Sequence, residues 1–344
     1  MRFAAPIGLS SAVWYPGAVT TPSEAIAAGV ITEKEGRQLG YDQLPVSEEH
    51  APPQMAINAA DALLTRRCVA RDQITLLAHA SVHFQGHIAW STPHHVASSL
   101  GLGSAVPLEV LQQCNGGAIA IELAIDHVRS ASRAHGRAAL VTTADRFFLP
   151  SWDRWATDYG MAAGDVATAV LVRPKASQDD DLWLRSMATV AAPDLELMHR
   201  GTDGWVVDAE EQSRPISVRR TKRAFIAERG LPYFNKVLDS AITQVVEQAL
   251  TDASMRPRDL VGAVIPRLGS KAMADSYLPP LLAVAPVPLV DLGRQSGHIG
   301  AGDFNANIAE VTSVAGLLPG QSVLVLNGGG GFTFTAAVVS VPDA

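Results

Sequence analysis

The sequence predicts an α/β protein built from two duplicated halves, each an apolar sheet covered by helices. Two observations carry that reading. Segments of helical and strand character alternate along the chain, and the alternation repeats at a nearly constant spacing. A third observation concerns chemistry: one of only two cysteines in 344 residues stands at the mouth of a helix, in "LEVLQQCNGGAIAIELAIDH".

The repeat shows in three pairs of segments. "MAINAADALLTRRCVARDQITLLAHAS" begins as a helix and ends as a buried strand, and "VLDSAITQVVEQALTDASMRPRDLVGAVIPR" does the same, with Arg71-Asp72 answered by Arg258-Asp259. The helix after Cys114 is answered at nearly the same offset by "GAGDFNANIAEVTSVAG", and the strand "RAALVTTADRF" by "QSVLVLNGGGGF". "MAAGDVATAVLVRP" adds a strand that closes the first half near residue 173. Strands alternating with helices imply mostly parallel sheets. The expected organisation is a first half over 1–175, a polar connecting or cap insertion over 176–220, and a second half over 221–344.

Composition narrows the function classes. A formal charge of −7 lacks the basic face that nucleic acid requires. With 47% hydrophobic and 18% charged residues the chain reads as a packed globular protein, and no apolar run is long enough to span a bilayer. Two cysteines allow one disulfide at most, which suits a reducing compartment. The opening "MRFAAPIGLSSAVWYPGAV" is broken by Pro6 and Pro16 and makes a poor signal peptide, so a cytoplasmic protein is expected.

Cys114 has two readings from its local sequence. Free cysteine is a small hydrophobe that often fills cores. A thiol at a helix N-terminus also meets unpaired backbone N–H groups and the positive end of the helix dipole, which favour the nucleophilic thiolate.

Taken together, "QQCNGGAIAIELA", "DYGMAAGDVATAVLV" and "LNGGGGFTFTAAVV" resemble the thiolase superfamily, specifically ketoacyl-ACP synthase III and its acyltransferase relatives, over nearly the whole chain. The resemblance implies the thiolase fold, five layers in the order αβαβα, and a homodimer. It makes Cys114 the residue that takes an acyl group from a carrier-protein or coenzyme A thioester, with no cofactor. The turn Gly328-Gly329-Gly330-Gly331 would set a backbone N–H, that of Gly330, beside that of Cys114 as an oxyanion hole. No G-K-[ST] follows these glycines, so a phosphate-binding loop does not fit.

The chain departs from the condensing pattern where the chemistry lies. "AVIPRLGSKAM" has Arg267 at the place of the family's histidine, and "DLGRQSGHIGAGD" has His298 at the place of its asparagine. Those two neutral donors stabilise the enolate of decarboxylative condensation, so their replacement points away from carbon–carbon bond formation. Cys114, the oxyanion turn and His298 suffice for acyl transfer, with imidazole drawing the thiol proton and later that of a hydroxyl or amine. The expectation is an acyltransferase of polyketide or secondary metabolism that delivers to a hydroxyl, an amine or a second carrier. The alternatives are a condensing synthase, a thioester hydrolase and a non-catalytic partner subunit. Asp303 is either the third member of a triad or a plain first-turn acid. Arg267 is expected to grip a carboxylate on the acyl group, such as that of a malonyl unit, which would then be transferred intact; a phosphate or a neighbouring loop is the alternative partner.

Three smaller features complete the reading. Five histidines fall within residues 79–95, but without cysteine or a suitably placed acid they are not expected to hold a metal. His83 among them, and Asn115 beside the nucleophile, are expected to contact substrate. The basic run "RRTKR" offers Arg219, Arg220 and Arg223 to a phosphopantetheine phosphate or an acidic carrier protein, a solvated charge run being the alternative. Cys68, at a helix end, is expected to be structural.

Overall fold

The computed structural model describes residues 1–130, 137–208 and 214–343. Ten strands form its main sheet: β1 (Arg2–Trp14), β2 (Ile74–Ala80), β3 (Val106–Val110), β4 (Ala138–Asp145), β5 (Val166–Arg173), β6 (Leu182–Ala191), β7 (Gly262–Val264), β8 (Leu289–Val290), β9 (Ser322–Gly329) and β10 (Thr333–Ser340). The longer helices that matter here are α1 (Pro52–Arg66), α2 (Thr92–Ser99), α3 (Gly116–Arg129), α4 (Val218–Arg229), α5 (Leu231–Ala253), α6 (Leu278–Val284) and α7 (Asp303–Ala315).

The strand order β3-β2-β4-β5-β1-β6-β10-β9-β7-β8 is two copies of one topology meeting at β1 and β6. Each copy, counted outward from the junction, uses its first, fifth, fourth, second and third strands, and this is the duplication that the sequence pairs announced. The chain has the thiolase fold. Its layers follow from strand alternation, which sends successive side chains to opposite faces. In β4, Leu140 joins the cluster built on α1 and α2, whereas Val141 joins the cluster around α3 and α7. In β9, Leu324 and Leu326 meet α5 and α6, whereas Val323 and Val325 face the same central pair of helices. Both faces of each half-sheet are therefore buried, which is why these strands read as continuous apolar runs.

The central helices approach closely because α3 opens on small residues. A Cβ on Gly117 would lie 2.6 Å from the carbonyl oxygen of Ala301, just ahead of α7. Any larger residue would force apart the two helix starts that carry the site.

Two expectations need correcting. The sheet is mixed: the three outer strands of each half run parallel, but β1, β5, β6 and β10 pair antiparallel with their neighbours. The β9–β10 connection is a tight glycine turn with no crossover helix, so these two strands must run antiparallel. The polar stretch 176–220 is also not all connector. Its residues Leu182–Ala191 form β6, whose alternate residues Leu182 and Leu184 are fully buried between β1 and β10. Polar neighbours masked that alternation in the sequence. Residues 209–213 of the stretch lie outside the described residues.

Candidate active site

Cys114 sits in a single 3-10 turn, Gln113–Asn115, between β3 and α3. Gln113 holds a left-handed φ of 49°, a costly conformation for a side-chain-bearing residue, next to the thiol. Three side chains brace the turn. Asn327 Nδ2 donates to the Cys114 carbonyl at 3.2 Å and to Asn115 Oδ1 at 3.0 Å, and Asn115 Nδ2 donates to Thr335 Oγ1 at 2.8 Å.

From the second half, the loop before α7 delivers an imidazole. His298 Nε2 lies 3.0 Å from Cys114 Sγ, and His298 Nδ1 lies 2.7 Å from Asp303 Oδ2. The other Asp303 oxygen accepts the backbone N–H of Ile299 at 2.9 Å. The His298 backbone is fixed on both sides, its N–H donating to Ala162 and its carbonyl accepting from Gly164, both at 2.9 Å. Cys114, His298 and Asp303, separated by up to 189 residues, thus form one hydrogen-bonded chain. Burial alone would push the His298 imidazole down, but the Asp303 carboxylate and the Cys114 sulfur outweigh it and hold the ring well above its ordinary value.

The glycine turn closes over Cys114. A Cβ on Gly329 would lie 2.5 Å from the Asn115 nitrogen and 2.8 Å from the Cys114 carbonyl carbon, so only glycine allows this approach. Gly328, Gly329 and Gly330 line a cavity of about 470 Å³ together with Cys114 and His298. Met161, Met198, Ile226, Leu231, Phe234 and Leu268 supply an apolar wall, and Lys222 with Asp158 a charged one.

Other expected site residues fall elsewhere. Arg267 does not line the cavity. It is wholly buried, with its guanidinium on Glu310 (2.5 Å), Ser296 (2.7 Å) and Asn307 (2.9 Å), as a buried charge requires. The expected grip on an acyl carboxylate is therefore corrected. Asn115 is likewise buried and braces the Cys114 turn rather than facing the cavity. His83 bonds Ser151 Oγ at 3.0 Å among the rings of Phe147, Phe148 and Trp152, away from the cavity. Arg219 is committed to Glu35 at 2.6 Å and to main-chain oxygens of Trp155 and Asp158, which leaves it unsuited to a phosphate. Arg220 forms an exposed ion pair with Asp203, and Arg223 is exposed. Of the remaining clustered histidines, His79 is buried against Thr142 and Gln85, while His87 and His95 pack on Trp90. Cys68, just past α1, is exposed, so it fills no core.

The sequence reading missed four cavity or bracing residues: His199, Tyr277, Asp158 and Asn327. Asn327 immediately precedes the glycine run and Asp158 begins "DYGMAAGD", so both lay inside quoted motifs. His199, in "LELMHR", and Tyr277 carry no pattern that could have marked them.

No family model and no curated protein matches the chain. Solved structures do. The ChlB3 acyltransferase is 26% identical with a TM-score of 0.87, the match covering 98% of both chains. The 3-oxoacyl-[acyl-carrier-protein] synthase III of Aquifex aeolicus is 18% identical with a TM-score of 0.74, covering 98% of this chain and 99% of that one. Xanthomonas campestris OleA, in a structure with bound lauric acid and lauroyl-CoA, is 16% identical with a TM-score of 0.74 over 98% of this chain and all of that one. Fold and site thus define a thiolase-fold enzyme of the acyl-transferring or condensing class. The chain is similar over nearly its whole length to a solved acyltransferase, and in fold to the synthases III. No described helix is long and apolar enough to cross a membrane.

Proposed function

We propose that the protein is an acyltransferase that works through a Cys114 acyl-enzyme. The observation that carries this reading is the hydrogen-bonded chain Cys114–His298–Asp303 at the wall of a largely apolar cavity. Cys114 Sγ attacks the carbonyl of a carrier-protein or coenzyme A thioester, and the N–H groups of Cys114 and Gly330 receive the oxyanion. His298 returns a proton to the departing pantetheine thiol. It then takes the proton of the incoming hydroxyl, amine or second carrier as the acyl group moves on, while Asp303 holds the ring and its charge. The reaction uses no cofactor. A condensing role fits less well, because Arg267 is spent on Glu310 and offers the cavity no neutral donor.

Three further parts of the proposal have separate supports. The edge strand β3 and the residues beside it expose Val106, Leu108 and Leu111, an apolar edge that a second copy would cover, so we propose a homodimer. Arg220 and Arg223 remain on the surface of α4 for an acidic carrier. A place in polyketide or secondary metabolism follows only from the motif resemblance around Cys114 and His298, and two free thiols favour the cytoplasm.

The test is intact-protein mass spectrometry after incubation with a panel of acyl thioesters, from acetyl and malonyl to hexanoyl and benzoyl. One acyl mass should stay on the wild type, map to Cys114 and vanish in Cys114→Ala. Full labelling of that variant, or an adduct on Cys68 alone, would overturn the assignment. A product that has lost carbon dioxide and gained a carbon–carbon bond would restore the synthase.

A further inference from the structure

Three successive glycines bring three side chains to one place. A Cβ on Gly328 would lie 3.1 Å from the Tyr277 hydroxyl, one on Gly329 would strike Cys114, and one on Gly330 would lie 2.5 Å from His199 Nδ1. Tyr277 and His199 both line the cavity that holds Cys114. Neither the Tyr277 hydroxyl nor the His199 ring nitrogens have a hydrogen-bond partner among the described residues. The charged groups of the same wall are already satisfied: Lys222 holds both oxygens of Asp158 at 2.7 Å, and Lys271 pairs with Asp275. A hydrogen-bonding group set into an apolar cavity without a partner is costly unless water or a ligand supplies one.

The local chain is built to present both groups. Tyr277 ends a π-helical turn, Met273–Tyr277, of the kind that marks functional sites in helices. His199 rides on the short helix Leu197–Arg200, its ring against Phe332 of the β9–β10 turn. Burial, with the nearby Lys222 charge, lowers the His199 imidazole to about 4, so it is neutral near pH 7 and offers an acceptor nitrogen as well as a donor.

We propose that Tyr277 and His199 form the acceptor subsite, and that the acceptor is an alcohol carrying more than one hydroxyl. The inference rests on the acyltransferase reading and narrows its acceptor class. The Tyr277 O–H donates to one lone pair of the attacking oxygen, and His199 holds a neighbouring hydroxyl of the same molecule. The oxygen's other lone pair forms the new C–O bond to the acyl carbon. The hydroxyl proton passes to His298 Nε2, the C–S bond to Cys114 breaks, and His298 then returns the proton to Sγ. A thiol acceptor gains little here, since sulfur is a weak donor and a weak acceptor.

The test uses the intact protein, loaded at Cys114 with whichever thioester of the panel labels it. The loaded enzyme is then chased with glycerol, 1-propanol or N-acetylcysteamine, and loss of the acyl mass is timed. Wild type should discharge faster to glycerol than to 1-propanol. His199→Phe should lose about tenfold of that preference, and His199→Asn should regain part of it. Tyr277→Phe should slow both alcohols by about tenfold while back-transfer to N-acetylcysteamine changes by no more than about twofold. The proposal fails if all three chases slow in parallel in the variants, or if the thiol discharges wild type and neither alcohol does. Failure of every thioester to label Cys114 would instead remove the acyltransferase reading, and this inference with it.

Discussion

The carboxylate of Asp145 accepts the backbone N–H of Ala301 at 2.9 Å, a bond that joins the two halves of the chain directly behind the site. The other oxygen of Asp145 accepts the N–H groups of Val82 and His83, both at 2.8 Å. One buried side chain at the end of β4 thereby ties the loop after β2 to the loop that carries His298. Gly300 fits the same contact, because a Cβ there would lie 2.2 Å from the Asp145 carboxylate.

Asp145→Asn should therefore loosen the His298 loop. The amide keeps one accepting oxygen but turns its NH₂ toward the Ala301 N–H, an opposed donor pair that should cost about 1–3 kcal/mol. The pH dependence has a sign. Burial raises Asp145 to about 7, against which its three backbone hydrogen bonds act more weakly. A folded value above the unfolded one gives stability that is present in acid and lost as pH rises from about 4 to 7. Denaturant unfolding at pH 5 and pH 8 should show the gap between wild type and Asp145→Asn narrowing with pH. A gap that widens contradicts the account.

Gly329 and Gly331 make a controlled pair. Gly329→Ala should reduce Cys114 acylation by about 10²–10³, since the new methyl displaces the turn that closes the proposed oxyanion hole. Gly331 has φ 76° and nothing within 4 Å of a built Cβ. Gly331→Ala should cost about 1–2 kcal/mol of backbone strain and leave acylation nearly unchanged. Equal losses of activity in the two variants would show that the turn's general flexibility matters rather than its contact with Cys114.

Arg267 should prove structural. Replacing it with Met takes the cation from Glu310 and the donors from Ser296 and Asn307, which should destabilise the fold by about 3–5 kcal/mol. The ratio of malonyl to acetyl labelling at Cys114 should stay the same. If that ratio collapses while the fold survives, the arginine does reach the acyl group.

Where periodicity and spacing carry the information, the sequence was legible. The matched offsets in the two halves gave the duplication, and the glycine run with the cysteine at a helix mouth marked Cys114 and the turn that packs on it. The strand Leu182–Ala191 was obscured because Arg185 and Ser186 interrupt its apolar residues, although Ser186 is itself buried in the sheet and Arg185 only partly so. The cavity was less legible still. His199 and Tyr277 come to Cys114 through the packing of the β9–β10 turn, a contact over long sequence separations that leaves no local signature. Arg267 misled for the opposite reason: its position in a family motif suggested chemistry, while its partners Asn307 and Glu310 lie on α7, 40 and 43 residues further along the chain, where no sequence pattern pairs them with it.

The His298–Asp303 pair allows stability and rate to be read separately. In Asp303→Asn the imidazole loses the carboxylate that holds it well above its ordinary value, and the burial that opposes that charge then dominates. A folded value above the unfolded one means that the pair stabilises the protein fully below the unfolded histidine value, near 6.5, and that this contribution is lost as pH rises through the folded value. Asp303→Asn should thus be more destabilising at pH 6 than at pH 9.5 in denaturant unfolding. Its effect on chemistry runs through the ring, which keeps its Cys114 contact but loses the partner that fixes its orientation and tautomer. Discharge of acyl-Cys114 to an alcohol should slow by about 10²–10⁴ in His298→Asn, which has no base, and by less in Asp303→Asn, which still has one. Stopped-flow acylation and chased mass spectrometry on the two variants give both rates. Should Asp303→Asn discharge as slowly as His298→Asn while binding its thioester normally, Asp303 would be taking a more direct part in proton transfer than orienting the imidazole.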